Sequence, residues 1–133
     1  MTEPRPADPP PPVLGRILLY VHDMETVAEF YARHFGFQIH RMPGDRIVEL
    51  ENPGGSGTDI VLHPLGRGRK SGQTVAKLVF DVADVDAFCA RAARRGLAFG
   101  AIHEGDGYAF ANAKDPAGNS VSVSSRAFRR QAV

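Results

Sequence analysis

Residues 16–37, RILLYVHDMETVAEFYARHFGF, decide the fold. Arg16 to Val21 is an apolar run in which Ile17, Leu19 and Val21 alternate with Arg16, Leu18 and Tyr20, the period of a strand with two unlike faces. Asp23 follows as a helix N-cap, because its carboxylate can accept from the free N–H groups of the next turn, with Thr26 and Glu29 behind it. Val27, Phe30, Tyr31, His34 and Phe35 then recur at helical spacing, which predicts an amphipathic helix over 24–35 stopped by Gly36.

Working outward, short strands are predicted at 37–41, 46–50 and 58–63, separated by Pro43-Gly44-Asp45 and Asn52-Pro53-Gly54-Gly55. That completes one βαβββ unit. After a basic, glycine-rich connector the same order returns: strand 75–82, helix 85–95 ended by Gly96, then strands 97–103, 108–114 and 119–124. One constant shift carries Arg16 onto Lys77, Ile17 onto Leu78, Leu19 onto Phe80, Asp23 onto Asp84, Val27 onto Phe88 and Ile60 onto Val121. A register shared by three elements is the mark of a repeat. The fold class is therefore α+β, tandem βαβββ repeats forming a curved mixed sheet around a central cavity. Arg16, Leu18 and Tyr20 of the first strand and Lys77, Val79 and Asp81 of the fifth fall on its concave side.

The domain plan is a mobile, proline-rich segment 1–13, a single domain 14–125 and a basic tail 126–133. Within the domain, units 14–63 and 75–125 flank a connector 64–74. Residues 4–12 hold six prolines, which cannot join a ladder or propagate a helix. With 133 residues, one compact domain is the natural reading. The 16 basic and 15 acidic side chains leave no field that would draw nucleic acid or an anionic membrane. Cys89 has no cysteine to pair with and sits in the second helix as a small hydrophobe, and no leader or spanning segment is legible, so a cytoplasmic protein is expected.

The junction Tyr20-Val21-His22-Asp23-Met24, with Phe30-Tyr31 and Gly36-Phe37, its echo Phe80-Asp81-Val82-Ala83-Asp84-Val85-Asp86, and the turn Asp115-Pro116-Ala117-Gly118-Asn119 resemble the vicinal-oxygen-chelate superfamily. That superfamily includes glyoxalase I, bleomycin- and fosfomycin-resistance proteins and extradiol dioxygenases. The likeness spans residues 14–125. It implies a metal held by inward-facing His, Glu or Gln on the first, fourth, fifth and eighth strands, positions occupied here by Arg16, Val61, Lys77 and Ser122. Arginine offers no lone pair, lysine offers one only on losing its charge, and valine has no donor atom, so no cofactor is expected. A displaced set of His63, Glu49 and His103 is the only alternative for a metal.

The resemblance and the register together point to a polar, cationic cavity lined by Arg16, Tyr20, Val61, His63, Lys77, Asp81, Ser122 and Ser124, with Ser120 nearby. Its two cations either grip an anionic ligand or pair internally with Glu49, Asp81 or Glu104. The function implied is binding of a small polar or anionic molecule without the family metal. The alternative is a lyase, isomerase or dioxygenase that uses displaced ligands or acid–base residues such as Tyr20 and Lys77. A homodimer is implied as well, since related proteins dimerise and can complete each other's cavities. Gly66-Arg67-Gly68-Arg69-Lys70-Ser71-Gly72 lacks P-loop spacing and reads as a solvated hinge whose basic residues can guide an anion. Ser122 and Ser124 lie in no nucleophile elbow.

Overall fold

The computed structural model describes residues 11–129, so most of the proline-rich segment and the end of the basic tail lie outside the described residues. The elements are β1 (Arg16–Val21), α1 (Met24–Phe35), β2 (Gln38–His40), β3 (Val48–Glu51), β4 (Asp59–Pro64), β5 (Lys77–Asp81), α2 (Val85–Arg94), β6 (His103–Glu104), β7 (Ala109–Lys114) and β8 (Ser120–Ser124). Both helices begin as their sequences dictate. Asp23 accepts from the Thr26 N–H at 3.1 Å and its hydroxyl at 2.7 Å, and Asp84 accepts from the Ala87 N–H at 3.0 Å. Gly36 closes α1 in the left-handed conformation, φ 74°. No helix among the described residues is long and apolar enough to cross a membrane.

The strands form two four-stranded mixed sheets, ordered β1-β4-β3-β2 and β5-β8-β7-β6. In each, the strand before the helix, β1 or β5, runs parallel to its neighbour and the other pairings are antiparallel. The repeat is thus visible strand for strand. The ladder is not continuous between the halves, and β1 and β5 are both edge strands within the chain.

Beside a smaller cluster of Val85, Ala111 and Val123 at α2, the helix-side faces of the two sheets meet in one main core. Leu19, Val21, Val27, Tyr31, Leu50 and Leu62 are buried there, with Leu78 and Phe80 of β5 and Val121 of β8 packed among them. Phe35, at the end of α1, stacks on Phe80 at 3.9 Å between ring centroids and 17° between planes. A polar bond runs through the same seam, where the Tyr31 hydroxyl donates to Asp115 Oδ2 at 2.7 Å. The alternate residues of each strand therefore lie on faces outside this core, as period two requires.

The expected sixth strand, 97–103, is the main correction. Only His103–Glu104 pairs regularly. Leu97 is buried with its N–H bonded to the Ala92 carbonyl, and Phe99 meets Phe88 edge-on at 6.1 Å, so this segment covers α2 instead of extending the sheet. A single bond from the Gly100 N–H to the Asn112 carbonyl, 2.9 Å, is what remains of a ladder. The described part of the basic tail packs on Tyr108 of the second unit. Residues Arg126–Phe128 form a 3-10 turn, and Arg126 Nη1 donates to the Tyr108 hydroxyl at 3.1 Å while its guanidinium lies 5.1 Å from the ring centre.

Candidate functional site

The open face of the first sheet is set by register. Arg16 stands beside Asp59, Leu18 beside Val61 and Tyr20 beside His63, while Glu49 of β3 stands opposite Val61. Leu18 and Tyr20 are 44% and 55% exposed, whereas Val61 is buried and forms the floor between them. The Tyr20 and His63 rings lie 5.0 Å apart. His63 Nδ1 is 2.9 Å from the Pro64 carbonyl. A carbonyl only accepts, so that contact assigns the proton to Nδ1 and leaves Nε2 as a bare acceptor beside an exposed phenol. Such a nitrogen can accept a hydrogen bond, or a proton, from a ligand.

The second open face places Lys77 beside Ser120, Val79 beside Ser122 and Asp81 beside Ser124, with Asn112 opposite Ser122 and Phe110 opposite Ser124. Lys77 Nζ donates to Asn112 Oδ1 at 2.8 Å. All three serines are committed locally, Ser120 Oγ by accepting from Lys114 Nζ at 2.8 Å. The Ser122 hydroxyl donates to the Ala111 carbonyl at 3.0 Å, and Ser124 Oγ accepts from the Arg126 N–H at 3.1 Å. Both are buried, so they form wall more than grip. Asn112 and Phe110 were not singled out by sequence, although alternation along β7 places them on this face.

The internal ion pairs are not formed. Among the described residues the ion pairs are His40–Glu51 and Arg41–Glu25, and neither Arg16 nor Lys77 takes part in one. The displaced metal set is not assembled either. His63 and Glu49 share the first sheet's open face, but His103 lies on β6 of the second sheet, with its ring 5.0 Å from Phe110. No group of three or more His, Cys, Asp or Glu side chains is placed to hold a metal among the described residues. The four positions where the family carries ligands do not fit a metal: a guanidinium, an ammonium bonded to an amide, a buried valine, and a hydroxyl spent on a carbonyl. Cys89 is half-buried in α2, and burial, then the charge of Asp86, raises its thiol pKa, which suits the inert packing role expected of it.

A cleft of about 610 Å³ runs along the edge of β1 and takes in Tyr20, Ser120, Arg69 and Lys70. A second, of about 460 Å³, follows β5 and takes in Lys77 and Asp81. A third, of about 410 Å³, takes in Asp81, Ser124 and Arg126. None of these holds both Arg16 and Lys77. The connector forms one wall of the first cleft, and its residues 66–70 are exposed. The His22 Nε2 lies 2.7 Å from the Arg69 carbonyl, the Leu65 N–H donates to the Val21 carbonyl at 3.0 Å, and Gly72 is lodged against the turn at 115–119.

The model of the Glyoxalase/Bleomycin resistance protein/Dioxygenase superfamily matches residues 13–123. Among solved structures, TnmS3, an antibiotic binding protein from Streptomyces sp. CB03234, is 25% identical with TM-score 0.72, covering 87% of this chain and 97% of that one. A glyoxalase/bleomycin resistance protein from the same organism is 26% identical with TM-score 0.65, covering 84% and 98%. A lactoylglutathione lyase from Agrobacterium tumefaciens, 21% identical with TM-score 0.65 over 87% and 95%, shares the fold. No curated protein matches the sequence.

Proposed function

The chain belongs to the Glyoxalase/Bleomycin resistance protein/Dioxygenase superfamily, and from that premise we propose that it binds a small polar or anionic molecule on its open sheet faces, without the family metal. The observation that carries this reading is the pair Arg16 and Lys77, cations at equivalent places in the two units, on open faces and in no ion pair among the described residues. An exposed cation costs little, and a ligand carboxylate or phosphate can supply the charged partner that the described residues do not. Around them Tyr20, His63 and Asp81 offer hydrogen bonds, Leu18, Val61 and Val79 an apolar floor, and Ser122 and Ser124 a wall. Similarity to an antibiotic binding protein supports capture of a small molecule over turnover.

The reading includes a homodimer. Val79, Leu18 and Tyr20 are large side chains left open by one chain, and the outer edges of β1 and β5 have no ladder partner among the described residues. A second copy laid against these faces would cover them and bring a first-sheet face of one chain to a second-sheet face of the other. The reading also keeps the protein in the cytoplasm, where the lone thiol of Cys89 stays reduced.

A thermal-shift screen of anionic metabolites and divalent metals tests this function, since a ligand that favours the native state must raise its melting temperature. At least one anion should raise it, and the double variant Arg16→Met, Lys77→Met should lose that shift while melting as the parent does without ligand. An undiminished shift would place the ligand elsewhere. Stoichiometric metal whose removal abolishes binding would overturn the metal-free reading.

A further inference from the structure

The last turns of α1 and α2 share a surface depression of about 400 Å³ lined by Arg33, Arg94 and Arg95. It uses none of the residues assigned to the open sheet faces. Among the described residues no carboxylate forms an ion pair with any of the three, not even Glu29, one helical turn before Arg33. Arg91, on the same helix, is turned aside and lies 5.5 Å over the Phe88 ring.

Helix ends attract cations, so the ordinary account of such a trio is that it complements the two C-termini. The magnitudes leave that account short. Each C-terminus carries about half a negative charge, so two ends offer about one against three guanidinium charges. Roughly two positive charges remain uncompensated by that count. His34 lies next to Arg33 near the end of α1. Its Nδ1 is buried with no hydrogen-bond partner, and burial first, then Arg33 and Arg95, hold its pKa below the ordinary histidine value.

We propose that this depression binds a phosphate group, either free or as a phosphate monoester, gripped by the guanidinium groups of Arg33, Arg94 and Arg95. A phosphate carries close to two negative charges near neutral pH, which matches the surplus, and its oxygens accept the paired N–H groups that a guanidinium presents. A nucleic acid is a poorer fit, because the net charge of the chain is only +1.

Histidine NMR on the full chain provides the test, with the His34 signal identified by its loss in His34→Gln. Inorganic phosphate and phenyl phosphate are titrated separately at an ionic strength held constant with sodium chloride. We expect a saturable displacement of the His34 signal and an upward move of its titration midpoint, because a bound anion offsets the guanidinium field. In the variant Arg33→Gln, Arg95→Gln, binding should weaken at least about tenfold, equivalent to about 1.4 kcal/mol. Unmoved signals from the other histidines would show that the fold is kept. Binding of inorganic phosphate alone would identify the free ion as the ligand, and tighter binding of the ester would identify a phosphorylated metabolite. Displacement that never saturates, that chloride alone reproduces, or that survives in the double variant would overturn the proposal.

Discussion

Asp115 is buried and yet accepts from the Tyr31 hydroxyl at 2.7 Å, from the Ala117 and Asn119 N–H groups at 2.9 and 2.8 Å, and from Asn119 Nδ2 at 3.0 Å. Those bonds replace the water a carboxylate loses on burial, and three of them also shape the turn before β8. The fourth ties that turn to α1. Burial, then the Asp115 charge, raises the Tyr31 pKa well above the ordinary tyrosine value. Since the folded-state value lies above the unfolded one, the stabilisation is complete below about pH 10 and is lost as the pH rises further, when the unfolded phenol ionises. Tyr31→Phe should therefore cost about 1–3 kcal/mol at neutral pH and flatten the alkaline fall in stability, as followed by urea unfolding between neutral pH and pH 11. Tyr20→Phe, at an exposed phenol, is the control, and an equal flattening there would refute the assignment. Sequence showed the Asp-Pro-Ala-Gly-Asn turn but not its tie to Tyr31, because helical spacing marks Tyr31 as core and says nothing about which buried oxygen its hydroxyl will meet. His22 is a similar case, since only the folded path of the connector brings the Arg69 carbonyl within reach of its ring.

At the scale of elements, strong local rules were legible and weak ones were not. α1 begins and ends as read because Asp23 and Gly36 act on their own neighbours. The sixth strand failed because Leu97 to His103 alternates in a way that serves equally for a strand or for a segment draped over a helix, and the apolar cover that α2 requires decided between them. The connector's composition marks the exposed stretch 66–70 correctly and says nothing of its far end. Glycines and cations suggest solvent, but Gly72 has φ 70°, and a Cβ there would sit 2.9 Å from the Ala117 carbonyl oxygen and 3.0 Å from that of Gly118. Gly72→Ala should cost about 1–3 kcal/mol, combining left-handed strain with a backbone clash. Gly68→Ala, at φ 79° with nothing within 4 Å, should cost about 1 kcal/mol. Equal losses in chemical denaturation would show that the connector is not held where it meets the turn.

For the whole molecule, repeat register put Arg16, Leu18 and Tyr20 outside the core, where they do lie, as period two demands. What register could not supply was the partner of each face. Alternation says which side of a sheet is buried within the chain, and has no term for a surface that another copy covers. The proposed homodimer makes this testable by sedimentation. The parent should sediment as a dimer at micromolar concentration, and Val79→Lys should give a folded monomer, because Val79 is 55% exposed in the single chain and its replacement disturbs no core contact. A parent that stays monomeric into the millimolar range would end the dimer reading.

The stacked pair Phe35 and Phe80 separates two notions of a unit. The repeat visible in the sequence is half a domain long, and an ancestral duplication would have copied that half. Yet each half now leaves a ring of its own lying against a ring of the other, so a half alone would expose the surface that its twin conceals. Either half is incomplete without the other, and a change at one ring has to be accommodated at its partner.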